Sequence, residues 1–157
     1  MRLLIKQRVF SWTDTYDVYD ENEQNKYFVK TEFLSIGHKI HVYDMYHNEV
    51  GFIREKVIAL LPSFEVEIAH RYMGKINKKL TFFKPRDEID YNGWTVEGDI
   101  MGWNYNVYSG YNPVVHIKKE LLRWGDTYVI DISQPKDEIA ALMLVLAIDA
   151  ANCQNDN

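Results

Sequence analysis

Residues 137–151 read Asp137-Glu138-Ile139-Ala140-Ala141-Leu142-Met143-Leu144-Val145-Leu146-Ala147-Ile148-Asp149-Ala150-Ala151. From Ile139 to Ile148 every side chain is apolar, so a helix here has no polar face to turn toward water and must be surrounded by protein or lipid. Ten residues rise only ~15 Å along a helix, whereas a bilayer takes roughly 20 residues to cross. A membrane span is therefore disfavoured, and the rest of the chain has to enclose the segment. Ser133-Gln134-Pro135 precedes it, with proline suited to a first helical turn. Asp137 and Glu138 follow at the positive end of the helix dipole. The spacing predicts one buried helix over about 136–151, emerging at Asp149.

What encloses it is written in the first four fifths of the chain. A frame of one apolar residue, three residues rich in charge and a second apolar residue recurs four times. It appears as Val29-Lys30-Thr31-Glu32-Phe33, Ile53-Arg54-Glu55-Lys56-Val57, Ile76-Asn77-Lys78-Lys79-Leu80 and Ile117-Lys118-Lys119-Glu120-Leu121, with offsets of 24, 23 and 41 residues. Seven residues past the second apolar position, period-2 alternation resumes at Ile40, Phe64 and Tyr128; the third frame is looser, with Asp87-Glu88-Ile89-Asp90 at that place. Each unit has the length of two short strands and a turn rather than of a helical repeat. Turn chemistry separates the runs at Asp20–Asn25, Gly37-His38, Tyr46–Glu49, Leu61-Pro62-Ser63, Asn92-Gly93, Gly110–Pro113 and Gly125-Asp126. Around the charged triplets neither alternation phase is cleanly apolar, which predicts a bulge or bend there rather than buried charge. Roughly ten to twelve short strands result. The expected class is mainly β (α+β): a closed antiparallel barrel wrapped around its own C-terminal helix.

Composition agrees with one soluble intracellular domain spanning residues 1–157. There are 18 Lys+Arg against 23 Asp+Glu, a net charge of −5 that speaks against a nucleic-acid binder. The single cysteine, Cys153, allows no intrachain disulfide and has no base visibly paired with it. Three apolar residues at the start fall far short of a signal-peptide core. Because the helix fills the lumen, a carrier role of the lipocalin kind is disfavoured, and function is expected on the outer surface or in the loops.

The order Gly51…Ile53-Arg54-Glu55-Lys56, Leu60-Leu61-Pro62-Ser63-Phe64-Glu65-Val66 and Lys78-Lys79-Leu80-Thr81-Phe82-Phe83-Lys84-Pro85 resembles the LURP-one-related (LOR) family. So do Trp94-Thr95-Val96-Glu97-Gly98-Asp99, Trp124-Gly125-Asp126-Thr127-Tyr128 and the ending Leu146-Ala147-Ile148-Asp149-Ala150. The resemblance is collinear over nearly the whole chain and is to a bacterial, YxjI-type member. It implies the fold shared by Tubby C-terminal domains and phospholipid scramblases, a barrel of about twelve strands around a hydrophobic helix. It implies no catalytic residue and no cofactor. Tubby proteins bind phosphoinositides and some scramblase-like members act at membranes, so an anionic ligand is implied at the level of fold analogy, without a residue-level match.

The residues themselves carry little chemistry. Glu97 and Asp99 would share a strand face, yet Glu97-Gly98-Asp99 reads better as the end of a strand. His38 and His41 point to opposite faces of a strand, while His47, His70 and His116 are scattered, so no metal cluster is expected. The serines lie in no G-x-S-x-G elbow and no P-loop occurs. No catalytic, cofactor or metal residue is assigned, and an enzyme ranks third among the readings. One charge feature stands out. Residues 71–86 hold Arg71, Lys75, Lys78, Lys79, Lys84 and Arg86 with no acid, a local +6 that leaves the remaining residues at −11. Such a stretch suits phosphates or anionic phospholipid headgroups, and Lys118, Lys119 and Arg123 would extend it if the repeats adjoin. The plainer role of these cations is to keep strand faces soluble. A protein partner anchored by Trp103, Tyr105 or Tyr111 is the alternative. The expected location is cytoplasmic, peripheral to a membrane if headgroups are bound.

Overall fold

The computed structural model describes residues 1–6, 15–34, 37–57, 63–77, 87–123 and 125–153. Strands run in chain order β1 (Arg2–Lys6), β2 (Thr15–Asp20), β3 (Asn25–Leu34), β4 (Gly37–Asp44), β5 (Glu49–Lys56), β6 (Ser63–Ile68) and β7 (Arg71–Asn77). They continue as β8 (Asp87–Glu88), β9 (Asp90–Tyr91), β10 (Trp94–Asp99), β11 (Asn104–Ser109), β12 (Asn112–Leu122) and β13 (Gly125–Ile132). A 3-10 turn at Pro135–Asp137 leads into α1 (Glu138–Cys153). The hydrogen-bonded order is β8-β10-β11-β12-β13-β1-β2-β3-β4-β5-β6-β7-β9, antiparallel throughout. Its two ends, β8 and β9, are separated in sequence by Ile89 alone. Residues 87–91 thus act as one closing strand, and the sheet is a nearly closed barrel of twelve strands.

The sequence repeat is a bulged hairpin. Val18 pairs with Tyr27 and Tyr19 with Asn25, so Lys26 is the extra residue. The same step leaves out Val50 between β4 and β5, Met73 between β6 and β7, and Val114 between β11 and β12. Each extra residue lies three positions before the first apolar residue of a frame, and Val29, Ile53, Ile76 and Ile117 are all fully buried. A bulge adds local twist and bends its strand, and four of them in register curl the sheet toward closure. The bulges therefore exist, but upstream of the charged triplets. Through the three triplets that are described in full the ladders run without a shift, as in Thr31↔Ile40, Arg54↔Glu65 and Lys119↔Tyr128. The expectation that no triplet buries a charge also fails at one place. Glu55 is 8% exposed and stays inside because His38, from the facing end of β4, supplies both its backbone N–H at 3.0 Å and its imidazole. The expected breaks at Gly37-His38 and Gly125-Asp126 are instead the first residues of β4 and β13.

Tight turns crowd the end where α1 enters. Asp20 Oδ1 accepts the N–H groups of Asn22 and Gln24 at 2.8 and 3.0 Å. Asp44, 24 positions on, does the same for Tyr46 and Asn48, both at 2.9 Å. Three residues after each aspartate the backbone turns left-handed, at Glu23 (φ 61°) and His47 (φ 66°). Donation from Asn48, through backbone first and side chain second, holds the Asp44 carboxyl below the ordinary carboxylate range.

The core sits between the inward strand faces and α1, which packs most closely on β5, β6, β7 and β13. Residues 140–148 are buried. Gly51 allows this approach: a Cβ there would lie 2.3 Å from the Sδ of buried Met143. Two phenols and a lysine hold the start of the helix. Tyr27 donates to Glu138 at 2.8 Å, Lys26 meets the same carboxylate at 2.7 Å, and Tyr91 donates to the Ala140 carbonyl at 2.7 Å. The helix does not emerge at Asp149, because Ala150 and Ala151 are buried and the turns continue to Cys153. The Cys153 side chain lies outside the described ones.

Burial raises the pKa of Tyr91 and Tyr105, the latter with a further push from Asp149; Tyr27 moves the same way, through burial and then its bond to Glu138. The folded chain keeps phenol protons that the unfolded chain releases above about pH 10. This contribution to stability is complete below that pH and is lost as pH rises further. Tyr91 and Tyr105 together give a slope of about 2.7 kcal/mol per pH unit. The expected result is a cooperative alkaline unfolding in which phenolate absorbance and far-ultraviolet dichroism change together. Smooth titration of all eleven tyrosines with the dichroism unchanged would contradict the buried placement.

Candidate anion-binding surface

β7 carries the described part of the basic stretch. Arg71 opens the strand and is exposed; Lys75 stands on the outer face four residues on, half-buried. Lys78, Lys79, Lys84 and Arg86 lie outside the described residues. Lys75 faces Glu65 of β6 and Asp90 of β9 in register. Glu65 is engaged by Lys56 at 3.6 Å, and neither Lys75 nor Arg71 makes an ion pair among the described residues. Most of the other described cations are committed. Arg2 binds both oxygens of Asp131 at 2.6 and 3.1 Å, and Lys30 lies 3.8 Å from Glu32.

Lys118 and Lys119 do not adjoin Arg71 and Lys75, the described members of this set. They lie on β12, and between β7 and β12 run the closing strand, β10 and β11. Four strand spacings separate them, ~19 Å along the sheet. Both are also neutralised: Lys118 meets Glu120 at 2.6 Å and Asp131 at 3.9 Å, and Lys119 meets Asp126 at 2.6 Å. The fourth frame repeats the first three in sequence and in bulge, but it belongs to the opposite half of the barrel.

The other candidates are placed as follows. Tyr105 is inside, 1% exposed, and its hydroxyl has no hydrogen-bond partner among the described residues. Trp103 packs against Tyr128 with the rings tilted and their centroids 4.1 Å apart. Tyr111 alone of the three stands out in solvent, 91% exposed. Asp99 Oδ1 accepts the Gly102 N–H at 2.8 Å and shapes the loop after β10. His38 and His41 do take opposite faces of β4. His41 points outward, 2.8 Å from Glu49, stacked on Tyr43 and tilted against Phe52. Sequence reading missed both histidine–carboxylate pairs, since their partners lie 17 and 8 positions away and no spacing rule links them. A shallow groove of about 230 Å³ runs past Met1, Asn106, His116, Asp131 and Ser133. Its histidine is turned to Asn106, 2.7 Å from Nδ1 to Oδ1. Among the described residues no three His, Cys, Asp or Glu side chains are grouped to hold a metal ion, and no helix is long and apolar enough to cross a membrane.

A nearly closed, bulged-hairpin barrel around one C-terminal helix defines a structural class, and the comparisons give it a family. The LURP-one-related profile matches residues 1–149, and the chain belongs to that family. It is 29% identical over 149 residues to the uncharacterized protein YxjI of Bacillus subtilis (strain 168), covering 95% of this chain and 92% of that one. The X-ray structure of an Arabidopsis thaliana protein superposes with a TM-score of 0.54 over 96% of this chain and 91% of its own, at 14% identity. At that identity the likeness speaks for the fold alone.

Proposed function

We propose that this domain is a non-enzymatic binding module that recognises clustered phosphates, presented as anionic headgroups, through the stretch 71–86. One observation carries the reading: six cations without an acid in sixteen residues, on a chain otherwise at −11. Among the described residues Arg71 and Lys75 make no ion pair, while lysines on other strands do, and this supports it. Net negative charge works against indiscriminate adsorption, so local geometry has to supply the affinity. A basic residue near an anionic surface contributes about 1 kcal/mol, and reversing four of them lowers binding by well over tenfold.

The test is co-sedimentation with neutral and phosphoinositide-containing vesicles, comparing the parent with a K75E/K78E/K79E/K84E variant checked for folding. Salt-sensitive binding by the parent, lost in the variant, is the expected result. Competition by a soluble inositol phosphate separates recognition of the headgroup itself from recognition of the membrane surface. No sedimentation of the parent with either vesicle overturns the proposal. A protein partner is the second reading, favoured by the exposure of Tyr111 at the tip of the β11–β12 turn. A contact of that kind survives the charge reversal and is lost in Tyr111→Ala.

A further inference from the structure

The barrel has one seam unlike its others. Neighbouring strands elsewhere share between three and eight register pairs. Among the described residues the closing strand has two on each side: Gly74↔Tyr91 and Lys75↔Asp90 toward β7, and Thr95↔Glu88 and Val96↔Asp87 toward β10. The pairs are also split along its length. Residues 87–88 serve β10 and residues 90–91 serve β7, so among the described residues none of the closing strand is paired to both neighbours. Among the described residues, few backbone bonds hold the cylinder shut at this seam.

Side chains hold it instead. Tyr91 reaches across the interior to donate to Ala140 of α1 and meets Trp94 edge-on at 5.9 Å. Ile89, between the two halves, is buried in the core. On one flank of the seam, β7 is packed closely on α1; β10 and β11 make no comparably close contact with it. The β10 side can swing away without stripping the helix from the strands that hold it. The Thr95 hydroxyl at the same seam is buried without a hydrogen-bond partner among the described residues.

We propose that residues 87–91 are a latch, pinned by Tyr91, whose release opens the barrel between β7 and β10 in one concerted step short of global unfolding. Segments held by few buried contacts and few backbone bonds open first. Here those bonds connect three stretches that must part together. Opening bares the facing edges of β7 and β10, which could then accept an extended peptide as an added strand.

Native-state hydrogen exchange on the whole chain tests this. Amides at 74–75, 87–91 and 95–96 are expected to share one opening free energy and one denaturant dependence, with protection about a hundredfold or more below that of β4 and β5. Tyr91→Phe removes only the anchoring hydroxyl. It is expected to lower protection in all three stretches together while β4 and β5 keep theirs. Three stretches exchanging independently, or protection equal to that of β4 and β5, overturns the latch. So does a Tyr91→Phe effect spread evenly over the barrel.

Discussion

A chain ending at Ser133 is expected to show no cooperative unfolding transition by dichroism and no dispersed amide spectrum. The truncation removes α1 and with it Leu142, Met143, Leu144, Val145, Leu146 and Ile148, all buried. At about 1.5–3 kcal/mol for each large side chain, this is about 9–18 kcal/mol of burial. A domain of this size is stable by about 5–15 kcal/mol in total. The loss is compounded from the other side. Phe64, Val66, Ile53 and Ile76 line the lumen where the helix packs, and without it they face water. The barrel cannot shrink to cover them, because strand number and bulge spacing set its girth. Restoring the helix as a separate peptide of residues 134–153 is expected to recover folding in part, since its contacts are with side chains and need no covalent link. A truncated chain that remains soluble and melts cooperatively would mean that the sheet has a core of its own.

The helix was the most legible element because its signal needs no partner: ten consecutive apolar residues exclude any solvent-facing side wherever they sit. The repeat was legible for a different reason. A bulge shifts the alternation phase by one residue, and the shift recurs at Lys26, Val50, Met73 and Val114 with the spacing of the frames. Its cause was misplaced by a few residues, since a broken phase can be seen in a sequence but the residue that breaks it cannot. Glu55 was misjudged because its partner, His38, becomes visible only when β4 and β5 are laid side by side. The proposed basic set suffered most. Lys118 and Lys119 match the earlier frames in composition, yet sequence similarity between repeats carries no information on where around the ring each repeat falls. The closing strand left only a faint trace. Asp87-Glu88-Ile89-Asp90 reads as a degraded unit because, among the described residues, each half is paired on one side only.

Gly74→Ala is expected to lower the melting temperature by ~10 °C or more. Gly74 lies in the middle of β7 at φ +141°, where a side chain is strained in any surroundings. The space is also taken: a Cβ would lie 2.1 Å from the Asp90 carbonyl oxygen and 2.8 Å from the Tyr91 Cα. These are backbone atoms of the closing strand, and they cannot rotate aside as the thioether of Met143 can beside Gly51. Backbone strain costs about 1–3 kcal/mol. Pushing residues 90–91 away adds the two register pairs to β7, at about 1 kcal/mol for each hydrogen bond lost. A chain of this size loses about 2–4 °C per kcal/mol. Gly110→Ala is the control, because Gly110 is also left-handed (φ +61°) but nothing lies within 4 Å of its added Cβ. It isolates the conformational part, expected at about 1 kcal/mol. If the two variants melt together, the contact between Gly74 and the closing strand contributes nothing to holding the barrel shut. If Gly74→Ala falls well below Gly110→Ala while its helical dichroism persists at low temperature, the damage lies in the sheet closure and α1 stays seated on β5, β6 and β13.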